Sequence, residues 1–183
     1  MHMNPFPELT TPRLILRKLA ISDVPALIKN GNSKSISDNV LNVPSPYTEE
    51  DAVAWIAGGW QGFKNGERYA FAIVLREINE LIGAIGMHIN SADNRAEIGY
   101  WLGEDYRDKG IMTEAVKRII RFGFDEVRLN KIFATCFTDN PSSEKVLQNA
   151  GMIKEGELKD QYRVKGVYKS VHQYRVTKQE HGL

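Results

Sequence analysis

The apolar positions fall into short strand-like runs and one strongly helical stretch. Arg13-Leu-Ile-Leu-Arg17 is a brief apolar run that predicts a first strand, with Pro12 tolerable at its edge. Ser22 reads as an N-cap, with Asp23 in the first turn and Ala26, Leu27 and Ile28 following. Thr48-Glu-Glu-Asp51 has the spacing of a capping box and predicts a second helix. Ala52, Val53, Trp55, Ile56, Trp60 and Phe63 supply its apolar side, against the weakening effect of Gly58-Gly59. Three strands are predicted at Tyr69–Leu75, Leu81–Ile89 and Ala96–Leu102, with turns at Asn79-Glu80 and Asn90–Asn94.

The clearest helix runs from Gly110 to Val127. Met112, Ala115, Val116, Ile119 and Ile120 recur with helical period, and Lys117, Arg118 and Arg121 take the other side, which reads as a solvated face. Lys131–Phe137 reads as another strand. Asn140-Pro141 then opens a helix, because Asn favours the N-cap and Pro the first helical position, and Gly151 is placed to stop it. Two closing strands are predicted at Ile153–Tyr162 and Val167–Val176, turning at Lys165-Gly166. The order β-α-α-β-β-β-α-β-α-β-β predicts an α+β domain on a mostly antiparallel sheet, with a parallel pair where the long helix crosses over.

At 183 residues and 42% hydrophobic content, residues 1–183 are expected to form one domain with a substantial core. A net charge of +1 gives no basic excess of the kind that nucleic-acid or anionic-membrane binding needs. One cysteine, Cys136, excludes an internal disulfide and suits a reducing compartment. No apolar run approaches the roughly 18 residues of a membrane span, and Met1 to Pro7 lacks the basic-then-apolar order of a signal peptide. A cytoplasmic protein is expected. His88 and His172 stand alone in the sequence, without metal-ligand spacing, so no metal is expected.

Chemistry concentrates at Tyr106-Arg107-Asp108-Lys109-Gly110-Ile111-Met112-Thr113-Glu114, between a strand and the best helix. Helix-start amides lack intrahelical partners and favour an anion, and Gly110 has no Cβ to hold one away. Arg107 and Lys109 add positive charge. A phosphate or diphosphate would fit, and so would a plain turn whose glycine only satisfies the backbone. Neither the Walker pattern nor Gly-x-Gly-x-x-Gly is present, nor is a Gly-x-Ser-x-Gly elbow.

Arg107-x-x-Gly110-x-Met112 resembles the diphosphate loop of the Gcn5-related N-acetyltransferase (GNAT) superfamily. Thr11–Arg17, Ala96-Glu-Ile-Gly-Tyr-Trp-Leu102, Asp139-Asn140-Pro-Ser-Ser143, Val146–Gly151 and Glu155–Leu158 are similar, in order and spacing, to its ribosomal-protein (RimJ/RimL-like) branch. The resemblance implies a GNAT fold, with about seven strands, about four helices, and a splay between strands four and five that admits acetyl-CoA. It further implies that the pantetheine arm runs along Tyr100, Trp101 and Leu102, that the diphosphate rests on the amides of Arg107 to Thr113, and that Asn140 meets the pantetheine. Met112 departs from the usual Gly or Ala, which is compatible with the loop if its side chain faces the core.

By the same resemblance, acetyl moves directly to an amine in a ternary complex. The Leu102 N–H would stabilise the oxyanion and Ser143 would protonate the leaving thiolate; Ser143 could also be an ordinary first-turn helix residue. Leu147 occupies the position where many members carry an acidic tyrosine. Glu97 stands as either the general base or a structural anchor, with Tyr162 and Glu157 as weaker bases. Cys136 could line the cleft or pack as a buried thiol. Trp55, Trp60, Phe63, Tyr69 and Phe71 border the acceptor region by resemblance, although core packing is their more ordinary role. The acceptor would be a peptide N-terminus or a small-molecule amine such as a polyamine, amino acid or antibiotic; a non-catalytic CoA-binding module is the other alternative. A monomer or homodimer is expected.

Overall fold

The computed structural model describes residues 5–40 and 43–182. It places eight strands in one sheet and adds five α-helices. The strands are β1 (Leu9–Thr10), β2 (Leu14–Lys18), β3 (Arg68–Leu75), β4 (Glu80–Asn90), β5 (Arg95–Leu102), β6 (Lys131–Phe137), β7 (Ile153–Val164) and β8 (Val167–Thr177). The helices are α1 (Val24–Gly31), α2 (Lys34–Asn39), α3 (Glu49–Lys64), α4 (Ile111–Asp125) and α5 (Pro141–Asn149). The sheet order is β1-β2-β3-β4-β5-β6-β8-β7. Among the described residues only β5 and β6 pair in parallel, across the α4 connection.

The expected α+β class and mixed sheet are present, with two additions to the predicted count. Two-residue β1 is too short to leave a periodic signal, and it pairs Leu9 with Leu16 at the edge of the sheet. Helix α2 carries only Ile36 as a buried apolar residue, so periodicity does not reveal it. Its local signal is Ser33, whose side chain accepts from the Ile36 amide. Because β1 precedes the first predicted strand, the predicted strands four and five are β5 and β6. Ser22 does not cap α1. Instead Ile21–Asp23 is a 3-10 turn, in which buried Asp23 accepts from the Ala20 amide at 2.8 Å and from both Arg17 guanidinium nitrogens at 2.8 Å. The Thr48–Asp51 capping box forms as expected, and Gly58-Gly59 remain inside α3.

Both faces of the sheet are covered, and β3 shows how. Phe71 and Ile73 join Met112, Ala115, Val116 and Ile119 of α4 on one face. Ala70, Ala72 and Val74 join Leu27 of α1 with Ala52 and Ile56 of α3 on the other. A strand buried on both sides must be apolar throughout, so β3 lacks alternation. Phe63, Tyr69 and Phe71 pack with Phe6 and Phe122 in edge-on pairs, which makes core packing their observed role. Trp60 packs against the α1–α3 layer and donates to the Leu19 carbonyl at 2.9 Å.

Gly83 of β4 lies opposite Leu102 of β5. A Cβ there would stand 2.5 Å from the Trp101 carbonyl oxygen and 3.1 Å from Leu102 Cα, so the end of β5 would have to move. Gly83→Ala is therefore expected to cost about 1–3 kcal/mol by overpacking, measurable as a lower urea midpoint with an unchanged slope.

Candidate active site

Strands β5 and β6 pair only through Arg95↔Lys131, Ala96↔Ile132 and Glu97↔Phe133. Beyond Glu97, β5 continues alongside β4 as far as Leu102, and β6 alongside β8 as far as Phe137. The sheet thus opens between them. Hydrogen-bond alternation tells which peptide groups face that opening. Gly103 N–H donates to Ile82 O of β4 at 2.8 Å, and in an antiparallel ladder successive residues face opposite ways. Gly103 and Trp101 therefore use their amides on β4, whereas Leu102, Tyr100 and Ile98 turn theirs toward β6. Of Tyr100, Trp101 and Leu102, Trp101 has only its side chain left to offer, and that packs toward the α1–α3 layer.

The loop from β5 to α4 contains a 3-10 turn, Glu104–Tyr106, and two left-handed residues, Asp108 (φ 57°) and Gly110 (φ 71°). Gly110 is the N-cap of α4, and no side chain caps the helix there. The amides of Ile111, Met112 and Thr113 therefore start the helix without an intrahelical acceptor. Met112 is buried in the core with Ala115 and Val116, so its size leaves the loop surface unobstructed.

The cations near this loop are arranged differently from the sequence expectation. The Arg107 side chain turns back, donating to Leu102 O at 3.2 Å and to Ser35 Oγ of α2 at 2.7 Å. Lys109 Nζ donates to Asp105 O at 2.7 Å. The guanidinium beside Gly110 belongs to Arg13, just before β2. Arg13 donates to Lys109 O at 2.8 Å and pairs with Glu114 at 2.6 Å, and its Nη2 would lie 3.6 Å from a Cβ on Gly110. Glu114, in the first turn of α4, also accepts from Thr11 Oγ1 at 2.5 Å and from the Arg13 amide at 3.1 Å. Burial raises its pKa, but the bonds from Thr11 and Arg13 outweigh this, and the net shift is downward. The sequence pointed to Thr11–Arg17 only as a strand; nothing local announces that Arg13 reaches a loop about a hundred positions on.

Across the opening, Asn140 caps α5 by accepting from the Ser143 amide at 3.1 Å. Ser143 Oγ lies 2.9 Å from Tyr100 OH, which joins the β5 arm to the α5 arm. Burial pushes the Tyr100 phenol far above its ordinary range, with the Ser143 hydrogen bond opposing. Cys136 is buried in the same core layer, and burial pushes its thiol up to about 11. Behind α5, His172 is not isolated: Nδ1 lies 3.4 Å from Glu144 and Nε2 3.8 Å from Glu157. The hydrogen bond in this cluster is the one Tyr174 donates to Glu144, which fastens α5 to β8.

Glu97 lies where β5 and β6 part, on the face opposite Ala96 and Tyr100. Thr135 Oγ1 donates to it at 3.2 Å, and it lines a cavity of about 210 Å³ with His88, Asn90 and Arg95. Glu157 lies on the edge strand, paired with Lys159 at 2.6 Å. Tyr162 lies on the part of the β7–β8 hairpin that runs past the end of β6, opposite Lys169. The tip of that hairpin reaches α2, where Lys165 pairs with Asp38 at 2.9 Å. An opening lined by two outward-facing peptide groups, beside an anion-accepting helix start, suits an elongated ligand with an amide-bearing arm and an anionic head.

Comparison with known proteins gives the family and the fold. The family described as "Acetyltransferase (GNAT) domain" matches residues 13–153. Uncharacterized N-acetyltransferase p20 of Bacillus licheniformis is 31% identical, over 94% of this chain and 97% of that protein. The ribosomal-protein-serine acetyltransferase of Escherichia coli (strain K12) is 32% identical, over 69% of this chain and 70% of its own. Among solved structures, a GNAT-family acetyltransferase from Bacillus anthracis superposes with a TM-score of 0.84 at 25% identity, covering 95% of this chain and 100% of that one. RimL, a ribosomal L7/L12 alpha-N-protein acetyltransferase in complex with coenzyme A, gives 0.86 at 23% identity, covering 95% and 99%.

Glu97 provides a pH test of the site. Burial raises its pKa above the ordinary 4.5, against the Thr135 bond. The folded-state value thus exceeds the unfolded one, so the carboxyl is neutral in both states at low pH, and its cost to folding builds up as pH rises from the unfolded value towards the folded one and is constant above it. Glu97→Gln is expected to raise Tm at pH 7.5 and to leave it unchanged near pH 4. An equal shift at both would contradict the burial account.

Proposed function

Because this chain belongs to the GNAT acetyltransferase family and is an N-acetyltransferase, we propose that it acetylates the α-amine of a protein or peptide N-terminus. Acetyl-CoA supplies a thioester whose carbonyl carbon is open to attack by an amine. The residues present fit such a ligand. The amides of Ile111 to Thr113, with Asp108, Lys109 and Gly110 shaping the loop and Arg13 beside it, would receive the diphosphate. The outward-facing peptide groups of Tyr100 and Leu102 would receive the pantetheine amides. Asn140 has its carbonyl oxygen engaged by the Ser143 amide, which leaves its NH₂ group to donate.

The Leu102 N–H, turned toward the opening, would donate to the thioester oxygen as negative charge develops there. Ser143 would pass its hydroxyl proton to the departing thiolate, a role that typically contributes about 10²–10⁴ in rate. The observation that carries the choice of acceptor is the position of Glu97. It lies five residues along β5 from Leu102, about 16 Å at roughly 3.3 Å per residue. At that separation its carboxylate reaches an amine at the reacting carbon only through a chain of water molecules. With Glu97 that far away, the site favours an acceptor that is already neutral. At pH 7 an α-amine, with a pKa of about 7.7–8.0, is neutral in roughly one molecule per ten, and a lysine, at about 10.4, in roughly one per few thousand. The names of the Escherichia coli relative and of RimL, a ribosomal-protein-serine acetyltransferase and a ribosomal L7/L12 alpha-N-protein acetyltransferase, support the same acceptor class.

With acetyl-CoA, a peptide with a free N-terminus is expected to exceed an N-blocked lysine peptide in kcat/KM by about two orders of magnitude at pH 7. The advantage should narrow roughly tenfold by pH 9, as the lysine deprotonates. A blocked lysine peptide or spermidine as the better substrate at pH 7 would reject this acceptor. Ser143→Ala is expected to lower kcat by about 10²-fold or more with acetyl-CoA affinity, read by calorimetry, within twofold of the parent.

A further inference from the structure

Ser143 carries one hydroxyl proton and two lone pairs, and its rotor is free unless a neighbour fixes it. To act as an acid it must hold that proton toward the opening. Two contacts constrain it. Asn140 accepts from the Ser143 amide at 3.1 Å and sets the backbone of the first turn of α5. That bond leaves the side chain unconstrained. The second contact comes from the opposite arm, where Tyr100 OH stands 2.9 Å from Ser143 Oγ and 3.4 Å from the Ser143 carbonyl oxygen. The Tyr100 ring packs against the core layer that also holds Cys136 and Leu147, so its hydroxyl is delivered from a fixed base.

We propose that Tyr100 is the positioning residue for Ser143: its hydroxyl donates to Ser143 Oγ, occupies one lone pair and turns the serine proton into the opening between β5 and α5. This rests on Ser143 being the acid. No proton leaves Tyr100 in the cycle. Ser143 O–H breaks as the thiolate S–H forms, and the serine recovers a proton from solvent or the one that the attacking nitrogen sheds as it becomes the amide. The donated bond also polarises the serine O–H, since linked hydrogen bonds reinforce one another. Tyr100 thereby serves the reaction twice from one residue. Its main chain faces the opening from β5, and its side chain reaches over to orient the acid on α5.

A double-mutant cycle tests this. Tyr100→Phe keeps the ring packing and removes only the hydroxyl. It is expected to lower kcat about tenfold, with KM for acetyl-CoA and for the peptide within twofold and Tm within a few degrees. In the Ser143→Ala background the same substitution is expected to change kcat by less than twofold, because no hydroxyl remains to be oriented. Equal fold losses in both backgrounds would make Tyr100 merely structural and overturn the proposal. So would full activity of Tyr100→Phe when Ser143→Ala is slow, and this outcome leaves Ser143 standing as the acid. Full activity of Ser143→Ala would remove both the acid and its positioning residue.

Discussion

The parallel contact between β5 and β6 lasts for only three residue pairs, and the rest of the site depends on where it ends. A sheet that stayed closed would spend the amides of Tyr100 and Leu102 on β6, leaving no edge inside the protein. Because pairing stops at Glu97, a short internal edge is exposed, with peptide groups in fixed orientation. Elsewhere unpaired strand edges are hazards that proteins cover or charge. Here the edge is enclosed between α4 and α5, and its exposure is the means of recognition. Backbone polar groups held away from their partners are costly when dry, so a ligand that pairs with them gains affinity from a deficit already present in the fold.

Three layers keep that edge in place. Apolar packing of α4 against the sheet, with Met112, Ala115, Val116 and Ile119 buried, fixes the helix start relative to β5. The absence of a side chain at Gly83 lets the end of β5 lie close to β4. Arg107 then ties the Leu102 carbonyl to Ser35 of α2. On the far arm, Glu144 links Tyr174 and His172 of β8 to the first turn of α5. The reactive groups are thus held by secondary structure and by hydrogen bonds outside the opening, which favours precise placement over loop flexibility.

Much of this was legible in the residues because its physics is local. The periodicity of α4, the Asn140-Pro141 start of α5, the Thr48–Asp51 capping box and the apolar run of β3 each express a rule that operates within a few positions. Gly110 was legible for the same reason, since a left-handed residue at a helix start demands glycine. What stayed hidden is tertiary. Arg107 has the right composition for a diphosphate contact but spends its guanidinium on Leu102 and Ser35. Arg13 lies beside the loop in its place because β2 passes there. The Tyr100–Ser143 bond joins residues 43 apart on separate elements. His172 gained two carboxylate neighbours only when β7 and β8 paired beside α5. Helix α2 escaped notice because capping by Ser33, not an apolar stripe, defines it.

The reach of Arg13 has a consequence for how the molecule responds to its co-substrate. Its guanidinium clasps Lys109 O and Glu114 while its own backbone leads into β2. Docking of the outer strands and the shape of the anion-accepting loop are therefore joined through one side chain. By linkage, as far as docking of that edge favours the loop's ligand-binding shape, a ligand on the loop favours docking of the edge by the same coupling. The margin of the fold farthest from the chemistry thus shares in setting how tightly the donor is held.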